Sequence, residues 1–321
     1  MKAICQKVNQ LSLCHPKHNV DVSDIKSMVM TASRHKNDHH NKKREALLTQ
    51  LLTLDKSYFE DESSGKQWTA LKTKWTELIS RLCEEPFSEV VVQQKAGRGH
   101  HYDFHVTYTL LPKEHTETLP ILEKKLEFKH NCCSLSKLPQ FLSLSEKQSL
   151  FISTPCYAED YYNHYIERYL ACDPEITVPK PCKEDYLRMV YSTNYDIHPF
   201  FRCLYERSKF RVKEKNAIVN ESIHCFLQKY GDQIDLEKLT DKFQTTQKDK
   251  IFVLWDLKQF HTDQFDTNDL TLVSNLGLHR KNALVIKSTT CIFHLLLRWR
   301  NHKGVLLPAW QISLKNRQYG L

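Results

Sequence analysis

YDFHVTYTLLPKEHTETLPILEKKLEFKHN, Tyr102 to Asn131, decides how the rest of the chain is read. In Tyr102–Leu111, Phe104, Val106, Tyr108 and Leu110 alternate with Asp103, His105, Thr107 and Thr109, the period of a half-buried strand. Pro112 and Pro120 bracket a polar loop. The second strand is Ile121–His130, with Leu126 and Phe128 on one face and Lys125, Glu127 and Lys129 on the other. Residues two apart on a strand stand roughly 6.6 Å apart on the same face, so Glu127 and Lys129 point into one space. Pairing of the two strands sets Asp103 beside them.

Two carboxylates and a lysine on one sheet face make a site for a hard cation. Carboxylate oxygens suit Mg²⁺, which binds through one or two acids and keeps water and substrate phosphate as its other ligands. Such a metal acidifies a water and offsets charge on a scissile phosphate, while the lysine orients or deprotonates that water or stabilises the transition state. An acid-x-Lys triplet is also what an ordinary solvated strand face contains, so context matters. Trp68, Leu71, Trp75, Leu78 and Leu82 recur at helical spacing, Pro86 follows, Val90–Val92 is a short apolar strand, and Gly97-Arg98-Gly99 turns toward Asp103.

With Asp103 followed by Glu127-Phe128-Lys129 in this order of helix, strand, turn, strand, loop and strand, Gly65–Asn131 resembles the PD-(D/E)xK nuclease superfamily. One departure is Tyr102, which stands where that family often has Pro. The resemblance implies a restriction-endonuclease-like α/β fold, a mixed β-sheet flanked by helices. It also implies Mg²⁺ as cofactor, with Mn²⁺ as a substitute, Asp103 and Glu127 as metal ligands, and Lys129 as the catalytic lysine. Some branches carry a further metal-site Glu on the first core helix. Glu77 is the choice here, with Glu84 and Glu85 as rivals; the alternative is a surface Glu77 paired with Arg81.

Composition is that of an ordinary globular chain: 321 residues, 40% apolar, 26% charged, and a net charge of +8. The excess is one-sided. Beyond Asp269 there is no acid, while Arg280, Lys281, Lys287, Arg298, Arg300, Lys303, Lys315 and Arg317 follow. That distribution points to a polyanionic partner, DNA or RNA, with Arg98, Lys137, Arg298, Arg300 and Lys303 as contact residues. No stretch approaches the roughly 20 apolar residues of a membrane span, and no secretory signal is expected. Eleven scattered cysteines without a C-x-x-C imply reduced thiols in an intracellular compartment, nucleus or cytoplasm. The oligomeric state stays open, a dimer included.

Along the chain, residues 1–64 read as an N-terminal arm with one helix. Cys5, Cys14, His15 and His18 fit no common zinc finger. Ser33–Arg44 is a basic, His-rich arm positioned to touch phosphate, and Glu45–Leu54 is a helix packed on the core through Leu47, Leu48, Leu51 and Leu52. Asp61–Gly65 is a break. Residues 65–321 then form the nuclease-like domain, with an insertion around 150–215. Tyr161, Tyr165 and Tyr169 lie on one helix face, as core or as a base-stacking stripe, and Asp173–Lys183 is a Pro-rich loop. Val219–Tyr230 is a helix stopped by Gly231. Ile251–Trp255 is a buried strand able to return to the nuclease sheet, with Asp256 capping the loop after it. Ala283–Ile286, Thr290–Arg300 and Val305–Leu314 are strands, the last two joined by a hairpin turn at Asn301–Gly304. Three functions follow: a Mg²⁺-dependent DNA endonuclease (or its RNA counterpart), a catalytically inactive nucleic-acid-binding protein of the same fold, and an interaction scaffold in which the triplet is coincidence.

Overall fold

A computed structural model describes residues 23–30, 34–54, 62–95, 100–112, 119–138, 140–145, 150–152, 156–191, 198–302 and 305–315. The described residues are mixed α/β with two five-stranded sheets. The chain divides into two compact units, Met1–Leu135 with Thr246–Asp266, and Ser136–Thr245 with Thr267–Leu321. This replaces the expected arm at 1–64 and single domain at 65–321. The described N-terminal helices share the core of the first unit, and the segment threaded into that unit is longer than 150–215.

The first unit holds helices α1 (Ser23–Val29), α2 (Arg34–Gln50) and α3 (Glu62–Arg81) and strands β1 (Phe87–Gln94), β2 (Phe104–Leu110), β3 (Ile121–His130), β5 (Lys250–Trp255) and β6 (Phe260–Gln264), in sheet order β1-β2-β3-β5-β6. β1, β2 and β3 form an antiparallel meander, with Val92 opposite Val106 and Phe104 opposite Leu126. β5 returns parallel to β3, with Phe128 opposite Val253, and turns back antiparallel as β6. The period-2 pattern is realised: Phe104, Val106, Tyr108, Leu126, Phe128, Val253 and Trp255 line one face and join Leu47, Leu48, Trp68, Trp75 and Leu78 in one core. Trp75 is fully buried against Phe104 and Phe260, at ring-centroid distances of 6.0 and 5.3 Å. The buried apolar rings on this face each contribute roughly 1.5–3 kcal/mol. α3 runs through Gly65, where a break was expected, because Ser64 and Gly65 are buried with its apolar face.

The basic arm is a further correction. Residues 34–44 continue the Leu47–Leu48 helix toward its N-terminus, and Arg44 is completely buried. Its guanidinium donates to the Ser27 and Met30 carbonyls at 2.7 and 3.0 Å, closing the C-terminal end of α1. Arg44 therefore ties α1 to α2 and offers nothing to phosphate. The Met28 carbonyl also accepts from the Trp255 indole at 2.7 Å, tying α1 to β5. The four zinc-reading residues Cys5, Cys14, His15 and His18 lie outside the described residues, as does the Gly97–Gly99 turn.

The second unit carries β4 (Leu142–Ser145), β7 (Leu272–His279), β8 (Ala283–Ser288), β9 (Ile292–His302) and β10 (Val305–Lys315) in order β4-β10-β9-β8-β7. Its helices are α4 (Tyr157–His164), α5 (Ile166–Ala171), α6 (Lys183–Val190), α7 (Pro199–Glu206), α8 (Val212–Tyr230) and α9 (Leu236–Gln247), the last running on into the first unit. The acid-free stretch thus supplies four strands of this sheet, β7 to β10, with β4 at its edge, and adds none to the first sheet; successive antiparallel neighbours pair locally before they reach anything distant. The tyrosine stripe is core. Tyr157, Tyr161 and Tyr169 are buried, the helix breaks at Tyr165, and Tyr161 packs on Trp299 at 4.8 Å. No disulfide joins the cysteines of the described residues. No described helix is long and apolar enough to cross a membrane.

Candidate functional site

Asp103 stands one residue before β2, yet its backbone is already part of the sheet. Its N–H donates to the Leu126 carbonyl at 2.9 Å and its carbonyl accepts from Lys95 at 2.8 Å. Continuing the Phe104–Leu126 register by one step sets Asp103 opposite Glu127. Its Oδ2 accepts from the Phe128 N–H at 2.8 Å, which fixes the carboxylate against β3. Leu126 and Phe128 turn into the core, so the pleat sends Glu127 and Lys129 to the opposite face, as the alternation predicts.

Glu127 is nearly closed off from solvent and held by two lysines. Lys129 pairs with Oε1, and Lys250 donates to Oε2 at 2.6 Å. Lys250 is the first residue of β5 and only 2% exposed, against 21% for the Lys129 side chain. A fifth charged group arrives from α2. Glu45 is half-buried, accepts from Gln94 Nε2 at 3.0 Å, and lies close enough to Asp103 and Lys129 to feel both charges. The helix is held there by Leu47, Leu48, Leu51 and Leu52 in the core.

The charges in this cluster do not balance at each atom. Burial, then repulsion from Glu127, pushes the Asp103 carboxyl up to about 6. Burial and the charge of Asp103 push Glu45 up to about 7. Burial also opposes ionisation of Glu127, but Lys129 and Lys250 outweigh it and hold that carboxyl below its ordinary value. For Lys129 the pull of Glu127 and Asp103 overcomes burial and raises its affinity for the proton; for Lys250 burial wins and lowers it. Glu127 is neutralised by two lysines, while Asp103 is crowded against Glu127 and Glu45 against Asp103, neither in an ion pair with a described residue.

Such a donor set fits a divalent cation: two hard oxygen ligands, Asp103 and Glu127, whose repulsion a +2 charge would relieve. Among the described residues no three His, Cys, Asp or Glu side chains are gathered at metal-ligand spacing. The protein's share would be the two carboxylates, with Glu45 behind them, and water or phosphate completing the shell. Lys129 or Lys250 would have to release an oxygen of Glu127.

No family model, curated protein or solved structure matches this chain.

The residues read from sequence part company at this point. Asp103, Glu127 and Lys129 are brought together. Glu77 is exposed on α3, whose Trp75 and Leu78 take the core side, and the helical acid at the site is Glu45. Lys137 is exposed in the short turn Leu135–Lys137. Arg298 and Arg300 are half-buried on β9, with Arg300 Nη1 donating to Ser143 Oγ at 2.6 Å. Arg98 and the Lys303 side chain fall outside the described residues. Asp256 caps its turn as expected, accepting from the Lys258 and Gln259 N–H groups at 2.9 and 2.8 Å. Glu45 and Lys250 were missed. Lys250 did carry a signal: a lysine opening a fully buried strand must find a carboxylate.

Proposed function

We propose that the protein is a metal-dependent endonuclease that hydrolyses phosphodiester bonds in DNA, built on a PD-(D/E)xK-like core. The observation that carries this reading is the convergence of Asp103, Glu127 and Lys129 on the face of the sheet opposite the Leu126–Phe128 core, with a surplus of carboxylate around them. The order helix, strand, Asp strand and Glu-x-Lys strand, which the resemblance requires, is the order in which α3, β1, β2 and β3 occur. Mg²⁺ or Mn²⁺, when bound, supplies positive charge at the scissile phosphate and a more acidic water. Asp103 and Glu127 hold it, with Asp103 fixed by the Phe128 N–H. Lys129, the more exposed of the two lysines, turns from Glu127 to the phosphate or the attacking water. Lys250 stays with Glu127 and keeps it ionised.

The double ion pair on Glu127 favours a second reading, a closed polar cluster in a catalytically inactive nucleic-acid-binding protein of the same fold. Cleavage of plasmid, single-stranded DNA and RNA in Mg²⁺ and in chelator separates the two. Metal-dependent cutting of DNA supports the nuclease, cutting of RNA alone changes its substrate, and binding without cutting selects the inactive reading.

A further inference from the structure

In the second unit the stretch from Tyr205 to Val212 exposes three large apolar side chains in a row of cations. Tyr205, Phe210 and Val212 are 42%, 52% and 44% exposed, and Lys209, Arg211 and Lys213 are exposed around them. None of these three cations is in an ion pair with a described residue. Glu206 is taken by Arg202 at 3.0 Å, and Glu214 is the remaining exposed acid of the stretch.

The ring of Phe210 is braced. The Arg207 guanidinium lies over one face, 4.2 Å from the centroid. Arg207 is itself fixed by both oxygens of Asp173, at 2.6 and 3.0 Å, and by Glu175 at 2.5 Å. Lys215 locks the assembly from beneath, donating to Asp173 at 2.7 Å and to the Arg207 carbonyl at 2.9 Å. Phe210 is extended and Arg211 adopts φ 50°, so the chain turns sharply with the ring outward. An exposed phenyl with one face covered by a fixed cation is organised to stack on something flat with the other.

We propose that Lys209–Lys213 is a binding platform for single-stranded nucleic acid, with Phe210 stacking on a base and Lys209, Arg211 and Lys213 neutralising the flanking phosphates. The single strand is favoured over duplex because a paired base offers no open face to a ring. It is favoured over an acidic peptide because that partner would use the cations and leave the ring idle. The platform belongs to the second unit and stands even for a protein that cuts nothing.

The test is fluorescence anisotropy with the full chain in chelator, using a labelled pyrimidine-rich DNA strand, its RNA counterpart and the same sequence as duplex DNA. Phe210→Ala should weaken single-strand binding about tenfold and leave duplex binding unchanged, and Phe210→Trp should restore it. Replacing Lys209, Arg211 and Lys213 together by Ser should lower the slope of log affinity against log salt by about 2, at roughly 0.7 per contact. DNA or RNA as the better strand keeps the proposal. Unchanged binding in Phe210→Ala, equal losses on single strand and duplex, an unaltered salt slope, or equal competition by polyglutamate each overturns it.

Discussion

Each unit buries one carboxylate between two cations, and the two clusters behave in opposite ways. In the second unit Asp173 is 2% exposed and Lys215 3%, and Asp173 is held well below the usual carboxylate range by hydrogen bonds from Arg207 and Lys215. Its neighbours are satisfied: Arg207 also pairs with Glu175, and Lys215 with a backbone carbonyl. In the first unit Glu127 is equally well paired, but Asp103 and Glu45 crowd the same space and are pushed up to about 6 and about 7. A buried ion cluster that serves only the fold leaves no charge unmatched. On the proposed reading, the acids left in mutual repulsion are where a divalent cation would bind.

Substitution breaks that comparison most sharply. Asp103→Asn and Glu127→Gln should each lower single-turnover cleavage, measured on folded protein below the melting temperature, by on the order of 10³ or more, since each removes a hard metal ligand; Glu127→Gln should also lower the melting temperature, because it strips the buried Lys250 of its carboxylate. Asp173→Asn should do the reverse, lowering the melting temperature by several degrees while sparing the cleavage rate below it. Loss of fold in the first pair, or loss of activity alone in the second, would erase the distinction.

Lys129→Met keeps the stem and removes the charge. As a donor at the reacting phosphate, Lys129 contributes on the order of 10²–10³ in rate. As a mere partner of the buried Glu127 it would act on stability alone, its removal costing up to about 3–5 kcal/mol with no effect on the rate of the folded protein. Near-wild-type single-turnover rates in this variant would remove the lysine from the chemistry.

The pH dependence carries a sign. Asp103 and Glu45 bind protons more tightly folded than unfolded, so between pH 4 and about 7 the folded state holds the extra protons. Stability from these two groups is therefore lost as pH rises through that window. Glu127 and Asp173 run the other way and lose stability as pH falls below the ordinary carboxylate range. Thermal melts from pH 5 to 8 should show Mg²⁺ raising the melting temperature more at pH 8 than at pH 5. A metal effect independent of pH would contradict the assignment of the crowded acids.

The smallest effect separates two helical acids. Glu45→Gln should weaken metal binding or activity about tenfold, as loss of a group behind the ligands does, and Glu77→Gln should change neither. The reverse ranking would restore Glu77.

That ranking also marks what the sequence could tell. The β2–β3 pair was legible because period-2 alternation places Leu126 and Phe128 against Glu127 and Lys129 whatever the surroundings, and Ile251–Trp255 was legible as a buried strand that rejoins the sheet. The helical acid was not, because α2 and α3 both precede the Asp strand and both are apolar-striped. Only the tertiary packing of α2 on β1, with Gln94 reaching Glu45, selects between them. Arg44 was misread for a related reason: a cation in a basic run looks solvated, and nothing local shows that the Ser27 and Met30 carbonyls will meet it. The second sheet was hidden because strand patterning gives faces but not partners.

The most direct measurement is a Mn²⁺ titration, followed by electron paramagnetic resonance, of wild type, Asp103→Asn, Glu127→Gln and Asp173→Asn. Saturable Mn²⁺ binding in wild type and Asp173→Asn, lost in Asp103→Asn and Glu127→Gln, is the predicted result. No saturable binding, or binding that survives both substitutions in the first unit, would contradict it.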